Sequence, residues 1–265
     1  MLGRDLVDHL AGRHDVTAVD LDVDVTDLAA VEACVGDCRP QAVFHLAAWT
    51  DVDGAEAHEA EAAAVNAGGA GNVAAAAAAA GAALVLPSTD YVFDGRKGAP
   101  YAEDDAPAPL GAYGRTKLAG ERAARERHPE GVRVARTAWL YGAGGRNFVD
   151  TMRRLGAERD EVEVVDDQTG SPTWTRDLAP ALEALLDRPP GVYHCAGAGR
   201  VTWAGLARAV FEETGCRCRV RPVSTEALGR PAPRPRWSAL ASTRPGAPRL
   251  RDWREALADY LEETV

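Results

Sequence analysis

A chain of 265 residues with 46% hydrophobic and 26% charged residues is long enough for one large domain or two modest ones and has the composition of a soluble globular protein. Its formal net charge of −10 opposes nucleic acid and anionic membrane as partners. No apolar run approaches the roughly 20 residues needed to span a bilayer, and Met1-Leu2-Gly3-Arg4-Asp5 lacks signal-peptide architecture, so the expected location is cytoplasmic. Cys34, Cys38, Cys195, Cys216 and Cys218 are odd in number and show no framework spacing, which predicts reduced thiols. Cys216-Arg217-Cys218 and His194-Cys195 have no second paired ligand motif, and no metal site is expected.

In chain order, Gly3 begins a helix over Arg4–Leu10, with no strand before it. Val16-Thr17-Ala18-Val19-Asp20 reads as a strand ending in an acid. Asp27 is placed to cap a helix carrying Leu28, Val31 and Cys34 on its apolar side. Ala42–Leu46 and Ala83–Leu86 are further apolar strands. The alanine-rich stretch from Glu56 to Ala80 predicts one long helix interrupted around Gly68-Gly69. A helix over Tyr113–Arg127 and a strand over Val132–Arg136 follow. Alternating strands and helices define an α/β, Rossmann-type doubly wound parallel sheet.

Beyond Tyr141 the spacing predicts helices at Asn147–Gly156, Arg176–Leu186, Trp203–Thr214 and Asp252–Glu263, with short strands at Val162–Val165 and Val220–Val223. Trp203 and Trp253 read as packing residues on their helices. The proline-punctuated stretch Arg230–Arg236 reads equally as a surface connector or an arginine-rich anion clamp. The expected division is a Rossmann domain over 1–142, with roughly 168–195 returning to it, and a smaller C-terminal α/β substrate-binding domain from roughly 143–167 and 196–265.

Lys97 and Lys117 are the only lysines among 30 basic residues, and Lys117 stands four positions after Tyr113. Positions four apart share a helix face, so phenol and ammonium point into one cleft. Arginine presents a wide, permanently charged fork, whereas lysine is a compact ammonium able to sit beside a phenol. A free phenol titrates near 10, and an adjacent cation is expected to lower that value toward efficient proton transfer. Thr89 follows the strand over Ala83–Leu86, at the carboxyl end where open α/β sheets bind ligands. Its hydroxyl is placed to hold a substrate carbonyl while Tyr113 gives up a proton. Tyr-x-x-x-Lys by itself is common on solvated helix faces; its place after Ser88-Thr89-Asp90 in a run of βα units gives it weight.

With these motifs the chain resembles the extended short-chain dehydrogenase/reductases, specifically the dTDP-4-dehydrorhamnose reductase family. The resemblance rests on Leu2-Gly3-Arg4, Ala47–Thr50, Ser88–Phe93, Tyr113–Glu121, Arg136–Tyr141, Asn147-Phe148, Asp167–Thr173 and Asp252-Trp253. It implies an NAD(P)H-dependent reduction of the C4 keto group of dTDP-4-dehydrorhamnose to dTDP-L-rhamnose, with NADH and NADPH both open as cofactor. Thr89, Tyr113 and Lys117 are then the catalytic set, Tyr113 the proton donor and Lys117 also a contact to the nicotinamide ribose. Leu2 and Gly3 match the end of the pyrophosphate turn, Asp20 the adenosine ribose contact, and Asp24 and Val25 a contact near the adenine. Ala48, Trp49 and Thr50 line the cofactor, while Thr89, Asp90 and Trp139 contact the dTDP-sugar. A homodimer is an open arrangement.

Two departures accompany the resemblance. Met1-Leu2-Gly3-Arg4 reads as the tail of a G-x-x-G-x-x-G turn, so the first strand and first two glycines of the cofactor motif are expected to be missing. Arg234-Pro235-Arg236-Trp237-Ser238-Ala239-Leu240 carries Ala239 where the family's Arg-Pro-x-x-Ser-Arg-Leu segment has its second arginine. The alternatives are a 4-ketoreductase acting on another dTDP-deoxysugar of secondary metabolism, and a non-catalytic binding subunit of the same fold, such as the regulatory β subunit of methionine adenosyltransferase.

Overall fold

The computed structural model describes residues 1–264. Helix α1 spans Leu2–Leu10 and α2 spans Leu28–Cys38. Asp27 caps α2 as expected, its carboxylate accepting from the amides of Ala29 and Ala30, an arrangement that contributes about 1 kcal/mol. Strand β1 (Ala42–Phe44) leads to α3 (Gly54–Ala57), α4 (Glu59–Ala63), a π-helical turn over Ala64–Gly69 and α5 (Ala70–Ala80). Strand β2 is Ala83–Thr89, α6 is Ala112–Arg127 and β3 is Val132–Thr137.

The second half contains β4 (Leu140–Tyr141), α7 (Phe148–Glu158), β5 (Glu161–Val165), β6 (Thr169–Gly170), β7 (Thr173–Trp174) and α8 (Thr175–Ala184). It continues with β8 (Gly191–His194), β9 (Val201–Thr202), α9 (Trp203–Glu213), β10 (Arg219–Val223), α10 (Thr225–Leu228) and α11 (Trp253–Thr264).

The main sheet runs β1-β2-β3-β8, with every pair parallel. Parallel strands need helical crossovers, which cover both faces. The alternation along β2 sends Leu84 and Leu86 to one side, where they meet Val31 and Val35 of α2, Val73, Ala74 and Ala77 of α5, and Ala124 of α6. It sends Val85 to the other side, with Leu178 and Leu182 of α8, and Leu6 and Leu10 of α1 pack against Ala179 of α8. A separate apolar cluster joins Val149 and Met152 of α7, Leu206 and Val210 of α9, Leu257 and Tyr260 of α11, and Val162 and Val164 of β5. Among the described residues strands β5 and β10 pair only with each other, parallel and in register from Glu161↔Arg219 to Val165↔Val223. The fold is Rossmann-like α/β with a parallel sheet and a smaller C-terminal domain.

Several expectations are corrected. Val16–Asp20 is not a strand: a strand needs a hydrogen-bonded neighbour, and among the described residues β1 pairs on one side only, with β2. Val19 and Leu21 are consequently exposed. The strand drawn to Leu46 stops at Phe44. The helix drawn over Glu56–Ala80 breaks at His58 and winds as a π turn through Gly68-Gly69, where a Cβ on Gly69 would collide with the Val25 side chain. β2 runs on to Thr89, so Thr89 is the last strand residue and does not follow the strand. β8 was not legible in the sequence; flanked by Pro189-Pro190 and only four residues long, it has no periodicity to detect.

Helix α6 is held to the sheet from inside. Buried Arg136 of β3 donates from Nε to Glu121 Oε1 at 2.9 Å and from Nη2 to Oε2 at 2.7 Å, while Ser88 of β2 donates to Oε1 at 2.5 Å. Glycine allows the helix its close approach: a Cβ at Gly120 would strike the Asn66 carbonyl oxygen, and one at Gly114 the Tyr91 carbonyl oxygen. Glu121→Ala leaves the Arg136 charge buried and unpaired, so a loss of about 3–5 kcal/mol in urea unfolding is expected. A Glu121→Leu/Arg136→Met double variant should recover much of it.

Candidate active site

Tyr113, Lys117 and Glu121 lie at successive four-residue steps along α6, on one stripe of the helix. Glu121 is anchored in the interior, and Tyr113 is half-buried near the helix start. Lys117 lies between them, 8% exposed, with Nζ donating to the Pro87 carbonyl of β2 at 2.9 Å. Burial pushes the ammonium down to about 8, with the Glu121 carboxylate acting in the opposite direction. The start of α6 is fixed by Glu56, whose carboxylate accepts from the Ala112 amide at 2.7 Å, and by the Arg115–Glu59 bidentate pair.

At the end of β2, the Thr89 hydroxyl accepts from the Tyr91 amide at 3.1 Å and donates to Asp90 Oδ1 at 3.2 Å. Burial pushes the Tyr113 phenol up to about 12; the Thr89 hydroxyl favours the phenolate, and the Asp90 charge opposes it. The expected lowering of the phenol by Lys117 is therefore corrected: the ammonium is turned to the strand carbonyl, and desolvation of the phenol prevails. Asp90, 2% exposed, is pushed up to about 7 by burial, against the hydroxyls of Ser238 and Thr89. His45, which ends the first strand's extension and faces Lys117, is pushed down to about 4 by burial and then by that charge.

The loop after β1 is drawn to the same place. The Trp49 amide donates to Asn66 Oδ1 at 2.9 Å, and Asn66 Nδ2 donates to the Trp49 carbonyl at 3.3 Å and to Thr116 Oγ1 of α6 at 3.0 Å. Trp49 and Tyr113 pack on one small cluster of Ala55, Ala62 and Ala112. Ala48 is half-buried and Thr50 exposed on either side of Trp49. Asn66 is not legible as a site residue in the sequence because it sits mid-helix in an alanine-rich run; the Gly68-Gly69 interruption is the signal beside it. Its bonds are internal, so Asn66→Ala should cost about 1–3 kcal/mol in a denaturant melt and loosen the 48–50 loop.

The remaining candidates are distributed around this centre. Leu2, like Phe44 and Leu46, packs against the core cluster of Val85, Leu178 and Leu182, and Gly3, whose added Cβ would meet only Leu46 at 3.6 Å, opens α1 ahead of the first backbone bond from Arg4 N to Met1 O. The Val25 carbonyl accepts from Asn72 at 3.0 Å, and Asp24 accepts from the Thr26 amide and hydroxyl, both at 2.8 Å. Asp20 stands exposed on a turn, without a strand to present it.

Trp139 has φ +47°, a left-handed backbone that costs a bulky residue about 1–3 kcal/mol. Its indole lies against Gly170, where any Cβ would overlap the ring, and stacks on Trp203 with centroids 3.5 Å apart and planes 4° from parallel. Trp203 is thus more than helix packing: it also contacts Phe148, and its Nε1 donates to Gln168 Oε1 at 3.1 Å. Trp253 is buried as expected. In the 230–236 loop, Arg234 grips Asp53 through both nitrogens at 3.0 and 2.9 Å. Ala239 is buried, its carbonyl accepting from the Tyr101 amide at 2.9 Å.

At the carboxyl edge of the parallel Rossmann-like sheet stand a tyrosine, a buried lysine and a threonine, and by its family the chain is an NAD(P)H-dependent oxidoreductase. The whole chain, residues 1–265, matches the RmlD substrate binding domain family, and it belongs to the dTDP-4-dehydrorhamnose reductase family. It is 49% identical to a dTDP-4-dehydrorhamnose reductase of Streptomyces griseus over 271 residues, covering 98% of this chain and 89% of the relative. It is 46% identical over 278 residues to a probable dTDP-4,6-dihydroxy-2-methyloxan-3-one 4-ketoreductase of Streptomyces antibioticus, covering 100% of this chain and 92% of that one. A crystal structure of dTDP-4-dehydrorhamnose reductase from Bacillus anthracis in complex with NADP superposes with a TM-score of 0.96 at 39% identity, covering 99% of this chain and 95% of the other. The chain is a dTDP-4-dehydrorhamnose reductase-like NAD(P)H oxidoreductase acting on dTDP-4-keto-6-deoxyhexoses.

Proposed function

We propose that the protein reduces the C4 keto group of dTDP-4-dehydrorhamnose to give dTDP-L-rhamnose, with Tyr113 as proton donor. The observation that carries this reading is the meeting of Thr89, Tyr113 and Lys117 where β2 ends against α6. A donor in a reduction must hold its proton until negative charge develops on the substrate oxygen, and a phenol pushed up to about 12 does so at neutral pH. The Thr89 hydroxyl lies beside the phenol and favours its ionised form, which suits a group that hydrogen-bonds the same carbonyl oxygen. Among the described residues Lys117 has one protein acceptor, Pro87 O, and an ammonium carries three donors; the others are left for ribose hydroxyls.

Bound NAD(P)H supplies the hydride. Leu2 and Gly3 fit its pyrophosphate, since the opening amides of a helix favour an anion and Gly3 is not demanded by protein packing. Asp24, Val25, Ala48, Trp49 and Thr50 line the path from there toward Tyr113 in this reading. An exposed carboxylate at Asp20 favours NADH by repelling a 2′-phosphate, whereas the B. anthracis relative was crystallised with NADP; parallel assays with both cofactors decide. Asp90 and Trp139 are assigned to the sugar. We assign residues 1–142 with roughly 168–195 to the cofactor unit and roughly 143–167 with 196–265 to the substrate unit, a division supported by β8 joining the main sheet while β5 and β10 pair together.

A second reading, reduction of a different dTDP-deoxysugar, is favoured by the 46% identity to the S. antibioticus protein. A panel of dTDP-4-keto sugars distinguishes the two by relative kcat/KM. Tyr113→Phe should lower kcat by about 10²-fold or more, measured as keto-sugar-dependent oxidation of NAD(P)H. Wild-type turnover in that variant overturns the mechanism.

A further inference from the structure

Trp139 stands beside the reacting centre by strand register. Thr137 at the end of β3 is the Cα partner of Thr89 at the end of β2. Trp139 follows shortly after, at the carboxyl edge where open α/β sheets hold ligands. Its half-buried indole has both faces covered. A Cβ built on Gly170 would overlap Cε2 and stand 2.5 and 2.6 Å from Nε1 and Cζ2, the ring atoms bonded to it. Those distances place Gly170 over the ring and not beside its rim. Trp203 is stacked on the same indole with centroids 3.5 Å apart and planes 4° from parallel. No backbone fits into a gap of that width, so Gly170 and Trp203 lie on opposite faces. The exposed part of Trp139 is therefore its rim.

Trp203 is fixed more firmly than packing on a helix requires. It opens α9 directly after Thr202, whose hydroxyl accepts from the Gly205 amide at 3.0 Å. Its Nε1 donates to Gln168 Oε1 at 3.1 Å. Gln168 is itself buried and donates from Nε2 to Thr225 Oγ1 at 2.8 Å, and that hydroxyl donates to Asp167 Oδ1 at 2.6 Å. The Phe148 ring leans on Trp203 with centroids 4.6 Å apart. An aromatic ring with a bonded N–H and only two side-chain torsions makes a rigid support. Trp139 needs one, because its left-handed backbone, φ +47°, persists only where the surroundings hold it.

We propose that Trp203 is a positioning residue for the reduction: it holds the Trp139 indole against Gly170 so that the keto sugar meets the Trp139 rim, and it thereby sets which sugars the cleft accepts. This rests on the assignment of Trp139 to the sugar. The sugar does not lie on a face of Trp139, because neither face is open. A rim contact is sensitive to depth. Small movements of the indole change how far the rim enters the cleft, and sugars that differ in one substituent on that side respond differently. With the Trp203 ring removed, the indole settles into the vacated space and withdraws its rim. Thr89, Tyr113 and Lys117 stand on β2 and α6 and keep their places, so the loss falls on sugar binding and not on the chemical step.

The test compares wild type with Trp203→Ala and Trp203→Phe, each checked for folding by thermal melting. With dTDP-4-dehydrorhamnose and NAD(P)H, W203A should raise the sugar KM about tenfold with kcat little changed. W203F keeps an aromatic face and should recover most of that loss. Gln168→Met removes the acceptor of the indole N–H and leaves the ring, so it should shift KM in the same direction by less. Should W203A fail to fold, Trp203→Leu and Gln168→Met decide by the same KM shift. The order of kcat/KM across a panel of dTDP-4-keto sugars should change in W203A and be kept in W203F. A role in helix packing alone lowers the melting temperature and leaves KM unmoved, and that result overturns the proposal. A fall in KM in W203A overturns it as well, since Trp139 then leaves the stack to offer the sugar a face. Calorimetric binding of dTDP-L-rhamnose needs no turnover and separates this proposal from the function it rests on. If wild type oxidises no NAD(P)H with any keto sugar, the proposed function fails. Weaker dTDP-L-rhamnose binding by W203A than by wild type still supports the positioning role, and equal or absent binding overturns it.

Discussion

The buried Arg136–Glu121 pair, with Ser88 as third member, is the constraint on which the site depends. It ties one helix to two strands at a fixed depth. Desolvating two charges is expensive, and the attraction offsets it only when geometry is good and the remaining atoms are bonded. Here the guanidinium meets the carboxylate in a bidentate fork; its Nη1 has no hydrogen-bond partner among the described residues, and the guanidinium lies over the Phe93 ring, 5.2 Å from its centroid. Because Glu121 cannot leave Arg136 without stranding a charge, α6 cannot slide or roll against the sheet. Lys117 and Tyr113, one and two turns earlier on the same stripe, inherit that position.

Burial then sets the chemistry of the stripe. Desolvation penalises whichever form carries charge, so it moves the phenol and carboxyl up and the ammonium down. The phenol and the carboxyl are both drawn toward their neutral forms, and so is the ammonium. A cluster of hydroxyls and one buried acid offers little to an anion. That separates the reacting centre from the amide-rich start of α1, where negative charge is favoured.

Trp139 marks the seam between the two apolar cores, contacting both the cluster around Phe93 and the one around α7, α9 and α11. Its left-handed backbone is tolerated because the surroundings over-determine it: Gly170 leaves room for the ring, and Trp203, fixed by Gln168, covers it. The Arg234–Asp53 pair crosses from the C-terminal loop to the loop after β1. Both contacts join chain segments far apart in sequence.

The sequence by itself determined the repeating βα pattern, the cap at Asp27, the helix carrying Tyr113 and Lys117, and the family. These are local properties: propensity, periodicity and motif spacing act within a few residues of one another. Only the tertiary structure decided which strands pair, and so that Val16–Asp20, a good strand by composition, stays irregular among the described residues while the unremarkable Gly191–His194 closes the sheet. It also decided the proton affinities. Tyr113 beside Lys117 looked like a lowered phenol on the helix alone; in the fold Lys117 turns to Pro87 and burial raises it. The indole stack of Trp139 on Trp203 and the Asn66 bridge between Trp49 and Thr116 were invisible for the same reason. Hydrogen bonds and desolvation depend on which distant groups arrive, and no local spacing encodes that.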